Sequence, residues 1–245
     1  MKAMALVLLA FAAPAPAEES LTSGLSQDSV EITSNYTGTD IVVFGAVENP
    51  AAEGVGDVVV IVRGPDTSMT VRRKDRIAGV WMNHARARVI MPSYYFVSAT
   101  RPLGEVAARD TLGRYEIGLD NLHADPVASD GDPAPYIAAL IRAQRRAGLY
   151  RESPLGVEML SRSLFRVRVP VPAAVAPGSY NVEVYLFRDG AVVSAQSWPL
   201  FIDQSGFERQ MFEFAHAWPL FYGLVTVLMA MLLGWSSTFF FRRRA

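Results

Sequence analysis

The stretch from Ala217 to Phe241 contains no charged residue, and it constrains the chain more than any other segment. As a helix rising ~1.5 Å per residue it would extend roughly 37 Å, more than the ~30 Å hydrocarbon core of a bilayer. Aromatic side chains near both ends resemble the belts that mark membrane interfaces, namely Trp218, Tyr222 and Trp235. The basic residues Arg242, Arg243 and Arg244 follow, and such residues stay on the cytoplasmic side. We therefore predict a transmembrane helix over 217–241 and a cytoplasmic tail over 242–245.

The other end of the chain is typical of a secretory signal peptide. Lys2 precedes the short apolar run Ala3–Ala13, and Ala15-Pro16-Ala17 supplies small residues for cleavage before Glu18. An uncleaved anchor is the alternative interpretation. A signal over 1–17 with a later stop-transfer segment predicts a single-pass type I protein with its bulk outside the cytoplasm.

Composition excludes several classes of function. All 24 acidic residues precede the apolar stretch, so the exported part is mildly acidic and a nucleic-acid partner is not expected. The chain has no cysteine, which excludes disulfides, thiolate metal sites and c-type haem attachment. An exported part of about 200 residues must then be stabilised by its own apolar core, in one large domain or two small ones.

Short β-rich runs between turns predict a mainly β domain over 18–204. The nearly continuous apolar run Ile41–Val47 predicts a central strand covered on both faces, and Leu164–Val169 alternates like a strand with one wet face. Asp189-Gly190 between alternating runs is a strong two-residue hairpin signal. With Pro177-Gly178-Ser179-Tyr180 before that hairpin, we expect an immunoglobulin-like β-sandwich. Whether the strands before Ala99 and after Ser161 form one sandwich or two is open from the sequence, and we expect one.

A helical insertion is predicted over about 102–160. Asp132 can cap a helix that starts at Pro133 and ends near Gly148. Its apolar face would carry Tyr136, Ile137, Leu140, Ile141 and Gln144. A juxtamembrane helix is predicted over 205–216, and one continuous helix from Gly206 to Phe241, kinked near Pro219, is an equal alternative.

The chain resembles a family of transmembrane proteins of Alphaproteobacteria with uncharacterised function. The resemblance is carried by Glu31–Ala46, by Pro92-Ser93-Tyr94-Tyr95, by Pro177–Tyr180 and by the single C-terminal span. It implies an inner-membrane protein with a periplasmic domain. It also implies a link to a sulfite-exporter-like membrane protein, and it supplies no catalytic residues.

Candidate sites are few. Arg72, Arg73, Lys74 and Arg76 form the densest basic cluster, a candidate patch for oxyanions or lipid headgroups that would otherwise be a solvated hairpin edge. His84 with Met82 and Met91 could bind copper, and His123 with Asp120 and Asp125 a divalent metal, although ordinary surface histidines fit both places better. Tyr94, Tyr95 and Phe96 fit alternating core and surface positions better than a binding platform.

These features predict a non-enzymatic accessory protein without catalytic residues, cofactor or metal. Its expected partners are the lipid bilayer and another membrane protein, such as a transporter. The alternative is a periplasmic protein that binds or senses an oxyanion or a metal. No Gly-x-Ser-x-Gly motif occurs, so no sequence motif supports a hydrolase.

Overall fold

The structure is a computed structural model that describes residues 19–33, 36–48, 56–77, 79–204 and 214–241. Within those ranges it leaves out the side chains of Asp75, Ile77, His84, Ala85, Gln204 and 236–241. The predicted signal peptide and cytoplasmic tail, and most of the predicted juxtamembrane helix, lie outside the described residues.

The described part is mainly β, as predicted. Its strands are β1 (Ser20–Leu25), β2 (Ser29–Ile32), β3 (Gly38–Glu48), β4 (Asp57–Arg63), β5 (Asp66–Ile77), β6 (Val80–Pro92), β7 (Tyr95–Ala99), β8 (Asp125–Ser129), β9 (Tyr150–Pro154), β10 (Val157–Met159), β11 (Leu164–Pro172), β12 (Gly178–Arg188) and β13 (Ala191–Gln204). Its helices are α1 (Leu103–Val106), α2 (Arg109–Arg114), a 3-10 turn (Leu119–Asn121), α3 (Ala134–Arg146) and α4 (Pro219–Phe241).

Two sheets face each other across a first apolar core. The smaller has the strand order β1-β3-β11-β10 and the larger β2-β13-β12-β4-β7-β9. The core joins Val43 and Val167 of the smaller sheet to Val60 and Val184 of the larger one. Strands from both halves of the chain pair directly, because β3 lies beside β11 and β4 beside β12.

A third layer covers the other face of the larger sheet. It consists of the sheet β5-β6-β8 together with the helices α1, α2 and α3. The second core joins Ile61 of β4 to Val89 of β6, Leu112 of α2 and Leu140 of α3. The stretch 102–160 therefore supplies helices to this layer, and it also contains β8, β9 and β10.

The strand covered on both faces is β4 rather than β3, so that prediction was wrong. All five residues from Val58 to Val62 are buried. In β3 the buried residues Ile41 and Val43 alternate with outward residues, and Phe44 is 45% exposed. The reason is that β3 lies in the smaller sheet, for which the described residues form only one core.

The aromatic run at the start of β7 also differs from expectation. Tyr94, Tyr95 and Phe96 are all buried. Tyr94 and Phe96 contribute to the first core and Tyr95 to the second. The side chains alternate as a strand requires, but between two cores instead of between core and solvent.

Several local predictions are confirmed. In α3, Tyr136 and Leu140 are buried, and the Asp132 carboxylate accepts a hydrogen bond from the Ala134 amide at 3.0 Å. The hairpin turn between β12 and β13 has φ of 52° at Asp189 and 79° at Gly190, as a two-residue type I′ turn requires.

Helix α4 begins at Pro219, two residues later than predicted, after a bend at Trp218 that follows a helical turn over 214–217. Residues 206–213 of the alternative continuous helix lie outside the described ranges. Among the described residues, no helix combines the length and the apolar character needed to cross a membrane.

Replacing Gly45 with alanine should destabilise the fold. A Cβ atom at Gly45 in β3 would lie 2.6 Å from the ring of Phe165, which is fully buried, and 2.6 Å from the carbonyl oxygen of Thr22. Overpacking of this kind costs about 1–3 kcal/mol. The measurement is the free energy of unfolding from urea denaturation of the full chain in mild detergent.

The matched control is Gly24→Ala on the neighbouring strand. A Cβ atom there would lie 3.5 Å from the ring of Phe44, an ordinary contact distance. We expect a change within about 0.5 kcal/mol. Equal losses in the two variants would contradict the packing described for Gly45.

Candidate functional site

The hairpin of β5 and β6, residues 66–92, forms an arm whose base is core and whose far half is exposed. At the base, Val89 and Met91 are buried in the second core, and Met69 and Val71 pack against it. From residue 72 to residue 86, every described side chain of the hairpin is exposed. The far half of the arm therefore contributes little to the core.

One face of the arm is strongly basic. Arg72, Lys74 and Arg76 alternate along β5, so they point to the same side. Cross-strand pairing adds Arg86 opposite Arg72, and Arg88 opposite Thr70. We call these five residues the cationic face.

The charge of the cationic face is not neutralised by ion pairs. None of the five residues takes part in a salt bridge within the part of the chain that the structure describes. Arg72 and Arg86 are directly opposite each other, an arrangement of like charges that destabilises a hairpin. A feature that opposes folding is a candidate for binding instead.

Three acidic residues lie near this face. Two of them lie at its base, and the third binds a backbone amide. Register places Asp66 and Asp125 beside Pro92 and Ile90 at the base. The carboxylate of Asp125 pairs with His123 at 2.8 Å. Asp130 accepts a hydrogen bond from the backbone amide of Arg86 at 2.9 Å.

The tip of the arm is apolar and exposed. Val80, Trp81 and Met82 are consecutive and are 62%, 68% and 52% exposed. Trp81 lies opposite Arg76, so its indole belongs to the cationic face. The arm therefore presents cations and a tryptophan on one surface.

This surface overlaps the predicted patch but differs from it. Arg72, Lys74 and Arg76 belong to it, whereas strand alternation places Arg73 on the opposite face. Arg86 and Arg88 were missed. Their alternation in Arg-Ala-Arg is visible in the sequence, but only the hairpin register shows that they join the residues of β5.

A polar cleft of about 370 Å³ lies at the end of β4. Arg63 donates to the Glu183 carboxylate at 2.9 Å and to the Tyr115 carbonyl at 2.7 Å. Burial, reinforced by the adjacent Glu183 carboxylate, raises the pKa of Tyr185 to about 12, so its hydroxyl remains a donor to Glu183 at neutral pH. The lining also carries the carboxylates of Asp66, Glu116 and Asp125, so acidic groups outnumber the Arg63 cation and the cleft does not favour an anion.

A larger, open cleft of about 630 Å³ lies beside the end of α3. Its lining combines Arg145 and Arg151 with Asp40 and Glu152. Two charges of each sign give it no net preference for an anion or a cation, unlike the arm.

The predicted metal ligands do not come together. Met91 is buried in the second core while Met82 is exposed at the arm tip, and the side chain of His84 lies outside the described set. His123 contacts Asp125, and no group of three or more candidate metal ligands occurs among the described residues.

The predicted membrane anchors are placed on and just before α4. Trp218 is 66% exposed, Tyr222 36% and Trp235 74%. Arg242, Arg243 and Arg244 lie outside the described residues. The exposed aromatic residues are consistent with an apolar environment around this helix.

Replacing Arg72 with glutamate should stabilise the arm. The change converts the like-charge pair with Arg86 into an opposite-charge pair, worth about 0.2–1 kcal/mol. The measurement is hydrogen exchange of the amides of β5 and β6, which should slow at low salt and approach the wild-type rate as salt screens the pair.

Lys74→Glu is the control, since it makes the same change in charge opposite the neutral Asn83. We expect a smaller slowing in this variant. Faster exchange in Arg72→Glu would show that the two arginines do not oppose each other.

Comparison with known proteins identifies a family but no characterised relative. The family described as "Putative transmembrane protein (Alph_Pro_TM)" matches residues 20–243. No curated protein and no solved structure matches the chain. Because the match covers nearly the whole chain, including the two facing sheets, the arm and α4, the chain belongs to this family.

Proposed function

We propose that the chain is a non-enzymatic accessory protein of the bacterial inner membrane, anchored by α4, whose β domain binds a partner membrane protein. The observation that carries the proposal is the exposure of α4. Every described side chain from Pro219 to Trp235 is exposed and none is charged, with Leu220 91% exposed. A contiguous apolar surface of this size is costly in water and marks contact with lipid or protein.

The proposed orientation rests on the two ends of the chain. A cleaved signal over 1–17 would export the β domain to the periplasm, and Arg242, Arg243 and Arg244 would hold the C-terminus in the cytoplasm. The family description supports a membrane protein and says nothing about its orientation.

We infer that the two facing sheets form an immunoglobulin-like sandwich. The order β1-β3-β11-β10 corresponds to strands A, B, E and D, and β13-β12-β4-β7 corresponds to G, F, C and C′. The hydroxyl of Tyr180, at the start of β12, donates to the Ala176 carbonyl at 2.6 Å, the geometry of a tyrosine corner. The arm between β4 and β7 and the parallel pairing of β9 with β7 depart from that fold.

A partner in the same membrane follows from tethering. A domain held at the bilayer has a high effective concentration towards other membrane proteins, so weak contacts suffice. The resemblance to family members linked with a sulfite-exporter-like protein makes a transporter of that kind the proposed partner.

An arginine in the middle of α4 should prevent stable anchoring. Met229→Arg places a charge at the centre of the apolar stretch, which costs about 2.5–3.5 kcal/mol in a bilayer. We expect a large fall in the chain that remains in membranes after alkaline carbonate extraction.

Leu220→Arg is the matched control, because an arginine near a helix end can reach the headgroups. It should remain in the membrane fraction. Equal retention of the two variants would count against α4 as a span.

The partner is tested by purifying the tagged full chain from its native membranes in mild detergent. We expect a polytopic membrane protein to co-purify with it, because the β domain and α4 together hold the complex. A control chain with α4 and an unrelated exported domain should recover less of that protein. Repeated recovery of the chain alone would refute the partner role.

The cationic face supports a second candidate function, the binding of an oxyanion in the periplasm. Its support is the set of five basic residues without salt bridges among the described residues. If the arm binds an oxyanion, sulfate or phosphate should raise the melting temperature of the chain.

A further inference from the structure

We propose that the cationic face and the tip of the arm dock on a surface of anionic phospholipids, with Trp81 at the level of the headgroups. The inference rests on the proposed anchoring, which keeps the β domain next to a bilayer. It assigns the lipid surface itself as the partner of the arm.

The charge of the arm matches an anionic lipid surface. Clusters of four to eight basic residues beside a membrane bind anionic lipids, and the cationic face has five. Register places Asp66 and Asp125 at the base of this face, and Asp130, next to Arg86, accepts a hydrogen bond from the backbone amide of Arg86. Positive charge therefore dominates the part of the arm that leaves the core.

The tip supplies the apolar part of the contact. Val80, Trp81 and Met82 are exposed beyond the last core residues of the arm. Tryptophan is enriched at membrane interfaces, where its ring meets the acyl boundary and its N–H meets water and headgroups. Arginine and lysine next to it can lay their aliphatic stems along the same surface.

The spacing of the cations favours an array of headgroups over one small anion. Arg72 and Arg76 are four residues apart on an extended strand, about 13 Å. A single sulfate can engage only some of the five cations at once. A row of headgroups in a bilayer can engage all of them, and the exposed apolar tip adds a contact that a soluble anion would not use.

The arm also starts where the chain leaves the domain for α4. The end of β4 at Arg63 pairs with Asn181, and the end of β13 at Ile202 pairs with Gly178. Both strands therefore finish at the same end of the larger sheet, and β5 begins at Asp66 just beyond β4. The base of the arm thus lies at the end of the domain from which the chain continues to α4.

The test uses the full chain, which contains no native cysteine. Asn83→Cys, opposite Lys74 on the cationic face, is labelled with a fluorophore. The chain is reconstituted in nanodiscs of phosphatidylcholine alone or with about 30 mol% phosphatidylglycerol, both carrying a headgroup quencher. We expect at least about threefold stronger quenching with phosphatidylglycerol, and its loss at high salt.

Two triple variants with equal loss of charge make the test specific. Arg72→Gln, Lys74→Gln and Arg86→Gln together should reduce quenching to the level in phosphatidylcholine. Arg142→Gln, Arg145→Gln and Arg146→Gln, on the exposed surface of α3, should leave it unchanged. Circular dichroism of each variant checks that the β structure is retained.

The outcomes separate this inference from the proposed anchoring. Equal quenching in the two lipids, equal effects of the two triple variants, or displacement of the label by soluble phosphate would each overturn the docking of the arm. Incorporation of the chain into nanodiscs reports anchoring independently. A chain that incorporates without quenching that depends on phosphatidylglycerol keeps its anchor and loses the proposed lipid contact.

Discussion

Strand β4 is apolar on both faces, and this property requires the rest of the architecture. Val58, Val60 and Val62 point into the first core, and Val59 and Ile61 into the second. At ~25 cal/mol per Å², leaving either row in water would remove several kcal/mol from a domain that is only marginally stable. The third layer is therefore part of the hydrophobic core rather than an addition to it. The same reasoning applies to β7, in which all five residues are buried.

The arm belongs to the third layer, but only its base is needed to cover β4. Covering β4 uses the base of the hairpin, where Val89 and Met91 are buried. The far half contacts no described core, and it places Arg72 opposite Arg86 at a cost in stability. Natural proteins keep destabilising features where function depends on them. Unlike the cleft at Arg145, whose charges are balanced, and the cleft at Arg63, whose charged lining is mostly acidic, the arm has an excess of positive charge.

Local elements could be predicted from the sequence because neighbouring residues determine them. The Asp189-Gly190 turn and α3 depend on residues within one or two turns of chain, and Leu164–Val169 alternates because one face of β11 is buried. What could not be predicted depends on partners distant in sequence. The burial of Tyr95 requires the third layer to close over β7, and nothing in its neighbours indicates that layer. Likewise Arg86 joins Arg72 only through the hairpin register. The sequence therefore predicted a patch of four basic residues within one five-residue segment, whereas the surface is spread over two strands.

The two proposed membrane contacts, α4 in the bilayer and the arm on the lipid surface, differ in strength, and this difference affects how the β domain is oriented. A helix that spans a bilayer, as proposed for α4, is effectively irreversibly inserted, whereas basic residues near an anionic surface contribute about 1 kcal/mol each and are screened by salt. A contact of that size would be weak for a free domain. For a domain that is already tethered, the free energy of this contact needs only to outweigh the loss of rotational entropy on docking, because tethering supplies an effective concentration in the millimolar range. Docking of the arm would thus set which face of the β domain points towards its membrane partner, and local lipid charge or ionic strength would shift that orientation without releasing the protein.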